Sequence, residues 1–139
     1  MFEDEYLLVC RPEDLELIPD PAPWRVFEQF PFIAMEPRSS VRMMTESVFA
    51  AAGIRTDARF ECVQLATVGG LIGEGLGISL LPRSTLPLMA IGKQIALRKT
   101  EAPVASRTIG MCTLADRTLA PAAEAFRQLV LAMAVDTKF

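Results

Sequence analysis

The chain is 139 residues long, 51% hydrophobic and 22% charged, with a net charge of −3 at pH 7. That length suits one compact domain, and that composition excludes an intrinsically disordered chain. The acidic balance, with no run of five basic residues, speaks against a nucleic-acid surface of its own, which needs clustered Lys and Arg.

In chain order, residues 5–10 (EYLLVC) are too short for a helix and read as a buried strand closed by Pro12. Pro19, Pro21 and Pro23 make the next stretch an extended surface connection. Residues 24–30 predict a short helix with Trp24 and Phe27 on one face, and residues 32–35 (FIAM) a second buried strand stopped by Pro37. The clearest helix follows: Val41, Met44, Val48 and Ala51 keep helical spacing, Ser39 or Ser40 can cap the start, and Gly53 suits a left-handed end. Residues 59–63 predict a strand, and residues 64–75 a helix with Leu65, Val68 and Ile72 on one side. The pair Gly69-Gly70 weakens that helix by roughly 1 kcal/mol per glycine, so close packing against another backbone is expected there.

Residues 77–82 (GISLLP) read as a strand, and the next turn of helix is expected to break at Pro87. Residues 94–99 are strand-like, and residues 106–114 (SRTIGMCTL) predict a further strand. A last helix starts near Pro121, with Phe126, Leu129, Val130 and Met133 on its apolar face. Alternating strands and helices predict an α/β fold with a mostly parallel sheet flanked by helices.

With no histidine, the commonest general base and metal ligand are missing, and neither a metal nor a cofactor is expected. No nucleophile stands beside a base and no carboxylates pair at one strand end, so the chain does not read as an enzyme. Cys10, Cys62 and Cys112 lie far apart in strand-like runs, which predicts buried reduced thiols. The acidic N-terminus does not read as a signal peptide. No apolar run approaches the ~18 residues of a membrane span. A soluble cytoplasmic protein is expected.

Residues 68–82 hold five glycines. A phosphate loop needs the order strand, glycines, helix, with the anion at the helix N-terminus. Here the helix precedes Gly73, Gly75 and Gly77 and the strand follows, so these glycines predict a tight helix-to-strand turn. The stretch PRSSVR is a better anion site. Ser39 and Ser40 come after a strand and open a helix, where hydroxyls, free amides and Arg38 or Arg42 can receive a carboxylate. Plain helix capping is the competing reading. A second such place is the next helix start, near Val63, Gln64 and Thr67; both fall at strand C-terminal ends, where α/β sheets bind ligands.

The order of EYLLVC, FPFIAMEPRSSVR, VFAAAGI, FECVQLATVGGLIGEGLGISLLP and RTIGMCTLADRTLAPAAEAF resembles the effector-binding domain of LysR-type transcriptional regulators, over nearly the whole chain. The resemblance implies a lobe like that of a type 2 periplasmic binding protein. It implies a small organic acid as effector, bound in a cleft by Ser39, Ser40, Val41 and, less consistently, Gln64. Residues 2–99 match the distal lobe. Residues 100–139 match a returning strand and the C-terminal helix of a proximal lobe whose first half is missing. No DNA-binding domain is expected within these residues; DNA contact would come through a separate winged helix-turn-helix. The apolar face of the last helix needs its own sheet or another chain, so a homo-oligomer is expected. The implied role is an effector-sensing and oligomerisation module; the alternative is a free-standing interaction protein that modulates a full-length regulator by dimerisation.

Overall fold

The structure, a computed structural model, describes residues 2–89 and 94–136, with side chains to Met133. Its central strand is β1 (Phe2–Cys10), three residues longer at its start than the apolar run alone implies. The chain then passes through a short 3-10 helix (Pro12–Leu17) and the single-turn helix α1 (Val26–Gln29). Two strand-helix units follow: β2 (Phe32–Met35) with α2 (Ser40–Ala52), and β3 (Ala58–Cys62) with α3 (Leu65–Gly73). β4 (Ser79–Pro82) leads through a 3-10 turn (Arg83–Thr85) into α4 (Leu86–Met89). β5 (Ala96–Arg98), β6 (Ser106–Ile109) and α5 (Pro121–Asp136) complete the order.

The fold is mixed α/β, but the sheet corrects the expectation of mostly parallel strands. β4, β5 and β6 all pair with β1, and all three run antiparallel to it. Among the described residues, parallel pairing is confined to β2–β3 and to isolated bridges between Phe32 and Ile78 and between Ala22 and Thr100. The sequence alternates strand and helix, which orders the elements but says nothing of strand direction. β1 meets its partners only after the chain has returned through β4 and beyond.

The core lies between these sheets and the helices. Val41, Val48 and Phe49 of α2 and Val68 and Ile72 of α3 are buried in it, as their spacing predicts. An aromatic cluster anchors it: Phe49 lies 5.0 Å from Phe27 and 5.3 Å from Phe32 between ring centroids, and Trp24 stacks on Phe27 at 5.9 Å. Gly69 allows α3 to approach α4, because a Cβ there would stand 2.6 Å from the Met89 carbonyl; Gly70 faces open space. Pro87 does not break α4, since it lies within that helix's first turn.

The glycine-rich turn behaves as the element order demands. α3 ends at Gly73, Gly75 and Gly77 have positive φ of 74° and 154°, and the chain turns into β4. A Cβ on Gly77 would collide with the Pro31 carbonyl, the group that accepts the Ile78 amide at 2.9 Å. The glycine lets β4 dock beside β2.

Two expectations fail toward the C-terminus. β6 stops at Ile109 rather than continuing to Leu114. Cys112 is therefore outside a strand and exposed, whereas Cys10 and Cys62 are buried. Among the described residues, α5 packs closely against no other helix or strand.

Candidate functional site at the starts of two helices

β2 and β3 are neighbours in register, with Met35 opposite Cys62, and the Glu36 amide donates to the Cys62 carbonyl at 2.9 Å. The two strands therefore end level, about 5 Å apart. Each hands the chain to a helix, so the starts of α2 and α3 lie side by side at the C-terminal edge of the parallel pair.

At the start of α2, Ser39 is the cap. Its hydroxyl accepts the Arg42 amide at 3.1 Å and donates to the Glu36 carbonyl at 2.8 Å. Both bonds serve the backbone, so capping occupies this side chain. Ser40 is exposed, and its hydroxyl meets no partner among the described residues. The Val41 side chain belongs to the core, so only its backbone faces outward. The amides of Ser40 and Val41, first in the helix, donate to no group among the described residues.

At the start of α3, Gln64 is in the cap position, but its side chain makes no capping bond and is exposed. Its carbonyl takes the Thr67 and Val68 amides at 3.1 and 3.3 Å. The Leu65 and Ala66 amides have no acceptor among the described residues. Four amides at two positive dipole ends thus lack an acceptor among the described residues.

The nearby charges divide differently from the sequence reading. Arg42 is committed to structure: Nε pairs with Glu46 at 2.6 Å, and Nη1 reaches Glu61 at 3.0 Å and the Met35 carbonyl at 3.2 Å. It neutralises two carboxylates that would otherwise repel an anion. Arg38 is exposed and forms no ion pair among the described residues. Such an arrangement can hold a carboxylate. An open groove of about 700 Å³ lies at the opposite, N-terminal strand ends, lined by Phe30, Arg55 and Arg59 among others. That is the end of a parallel pair where ligands are not expected.

One polar cluster escapes a sequence reading. Asp4 on β1 is 2% exposed. It accepts the Ser84 amide at 2.9 Å, the Ser84 hydroxyl at 2.6 Å and Arg107 Nε at 3.0 Å. Burial alone pushes the Asp4 carboxyl up, but the Ser84 and Arg107 donors outweigh it and hold the group below its ordinary value. Arg107 also lies 5.9 Å from the centroid of the Tyr6 ring. The signal was an acid at position 4, two and four residues before inward-facing Tyr6 and Leu8, hidden because its partners are 80 and 103 residues away.

The chain belongs to the LysR substrate binding domain family, whose model matches residues 1–134. It is 29% identical over 138 residues to the HTH-type transcriptional regulator YbhD of Escherichia coli K12, covering 99% of this chain and 43% of that protein. It is 32% identical over 101 residues to the HTH-type transcriptional regulator YybE of Bacillus subtilis 168, covering 72% of this chain and 33% of that protein. The chain thus spans less than half the length of these curated relatives, which are regulators rather than enzymes. Among solved structures it resembles the effector-binding domain of QuiR in complex with shikimate, with a TM-score of 0.76, 20% identity, and coverage of 99% of this chain and 64% of that one. The regulatory domain of Synechocystis PCC6803 CcmR in complex with 2-PG gives a TM-score of 0.76 at 17% identity, covering 95% of this chain and 64% of that one. At such identities the likeness carries the fold alone. Among the described residues, no helix is long and apolar enough to cross a membrane.

Proposed function

We propose that this chain is the effector-sensing part of a LysR-type regulator, and that its effector is a small organic acid. One observation carries the reading: the paired starts of α2 and α3, with the unoccupied amides of Ser40, Val41, Leu65 and Ala66 at level strand ends. Ser40 and Gln64 supply polar side chains beside those amides, Arg38 supplies positive charge, and Ser39 holds the α2 start in shape. Complexes of QuiR with shikimate and of CcmR with 2-PG support the choice of ligand class.

In this reading residues 2–99 form the distal lobe, of the type 2 periplasmic-binding-protein kind, and residues 100–139 return toward a proximal lobe. DNA contact belongs to a separate winged helix-turn-helix, and the protein works in the cytoplasm as a homo-oligomer. The edge is open on one side, and small-molecule sites draw affinity from enclosure, so binding by these residues alone is weak, about millimolar.

The test is a titration of the 15N-labelled chain with a panel of small carboxylates that includes shikimate and 2-PG. Saturable shifts of the Ser40, Val41, Leu65 and Ala66 amides are expected with at least one acid, and weaker ones in an S40A/Q64A variant. Absence of any saturable shift at those amides up to about 10 mM overturns the reading.

A further inference from the structure

We propose that binding at the start of α3 is read out at strand β6, through a relay of α4, Ser84, Asp4 and Arg107. The proposal takes its input from the function proposed above and names how that site is coupled to the rest of the chain. Its test needs no effector.

The first link is backbone against backbone. Gly69 presents no side chain toward α4, and a Cβ there would stand 2.6 Å from the Met89 carbonyl oxygen and 3.0 Å from its Cα. Met89 is buried, so it has no solvent side to yield toward. Close-packed interiors transmit strain, and packed helices answer it by small sliding movements. A displacement of α3 therefore reaches α4. The source of that displacement is the helix start. A carboxylate taken up by the Leu65 and Ala66 amides is attracted to the positive end of the helix dipole, and the helix is pulled toward it in turn.

The second link runs along the chain. α4 begins at Leu86, directly after the 3-10 turn Arg83–Thr85, and the Leu86 amide donates back to the Arg83 carbonyl. Ser84, in the middle of that turn, gives both of its donors to one carboxylate. Its amide donates to Asp4 Oδ1 at 2.9 Å and its hydroxyl to Asp4 Oδ2 at 2.6 Å. The same Oδ2 accepts Arg107 Nε at 3.0 Å, and Arg107 stands opposite Asp4 across the β1–β6 pair. A movement of Ser84 thus turns the carboxylate that holds the arginine of β6.

Arg107 has a second acceptor beside the first. Asp4 and Tyr6 share one face of β1. The Arg107 guanidinium carbon lies 5.9 Å from the Tyr6 ring centroid. The Tyr6 hydroxyl is buried and makes no hydrogen bond among the described residues. A buried hydroxyl left unpaired is costly, so this oxygen competes with Asp4 for the guanidinium. Two discrete arrangements of one side chain are what coupling between separated sites requires.

Amide spectra of the 15N-labelled chain read the relay. Q64D puts a carboxylate at the cap position of α3, where it takes the place of a bound acid. Q64D should shift the Arg107 and Thr108 amides about threefold further than those of Leu97 and Arg98, which also lie on a strand paired with β1 but off the relay. That difference should vanish when Q64D/S84A is compared with S84A, because the hydroxyl that joins Asp4 and Arg107 is gone. A through-space effect of the new charge would persist in both. Fluorescence of Trp24, the chain's one tryptophan, buried in the core, checks that the variants stay folded. D4N replaces S84A should S84A fail that check. β6 amides that ignore Q64D, or that respond equally with and without the Ser84 hydroxyl or the Asp4 carboxylate, overturn the proposal. Neither result touches the carboxylate titration of the α2 and α3 starts, which alone decides effector binding.

Discussion

The Asp4 side chain has no exposed surface, and Arg107, its partner, is about one quarter exposed. Removing one member of a buried pair strands the other and typically costs 3–5 kcal/mol. The partial exposure of Arg107 places D4A near the lower end, about 3 kcal/mol in chemical denaturation. The pH dependence follows from the same donors. The carboxyl is held below its ordinary value of 3.8, so its contribution is complete above that value and disappears as pH falls through the lowered one. Wild type should therefore lose stability below about pH 4 more steeply than D4N, measured as denaturation midpoint against pH. Thiol chemistry separates the three cysteines. Burial pushes Cys10 up to about 11 and raises Cys62 as well, whereas Cys112 is exposed. A disulfide reagent at pH 8 should consume one thiol in the native chain quickly, and all three only after unfolding; two fast thiols would contradict this assignment.

At the scale of elements, Ser39 and Ser40 are adjacent hydroxyls with different tasks. S39A removes the cap of α2 and should cost about 1 kcal/mol of stability. S40A should leave stability within about 0.5 kcal/mol and act on effector affinity instead. Equal stability losses in the two variants would show that the hydroxyls are interchangeable. The sequence expressed these helices well, because capping, a terminal glycine and 3.6-residue spacing are local signals. Val41, Val48 and Phe49 of α2 pack where their spacing predicts. β6 was less legible. Residues 110–114 have strand-forming composition, but a strand also needs a neighbour to pair with, and β1 begins opposite Ile109. The antiparallel direction of β1 was hidden for a similar reason: its partners are supplied by distant residues. The candidate site was legible as two helix starts; the commitment of Arg42 to Glu46 and Glu61 was not, since Glu61 comes from another element.

At the scale of the whole molecule, the chain is a packed α/β unit from which one segment departs. The strands through Ile109 are tied to β1 or the core, whereas residues 110–120 are exposed apart from half-buried Leu119, and they lead to a helix that packs closely on no other element among the described residues. Exposed connecting backbone is where proteases cut first. Brief trypsin treatment should cleave after Arg117 before any other site, leaving a core that keeps cooperative thermal unfolding. Faster cleavage at Arg55 or Arg59, beside the core, would contradict that description.

The first strand in chain order is also the one that every other strand of the larger sheet needs. Tyr6 pairs with Pro82, Leu8 with Arg98 and Phe2 with Ile109, so β1 cannot satisfy its backbone until more than a hundred residues have followed it. Contacts of such sequence separation make folding slow, because the chain must close large loops before they reward it. During translation the β2–α2 and β3–α3 units can assemble locally while β1 waits with both edges open. The apolar run Tyr6–Cys10 is then the stretch of this sheet that stays longest without its partners.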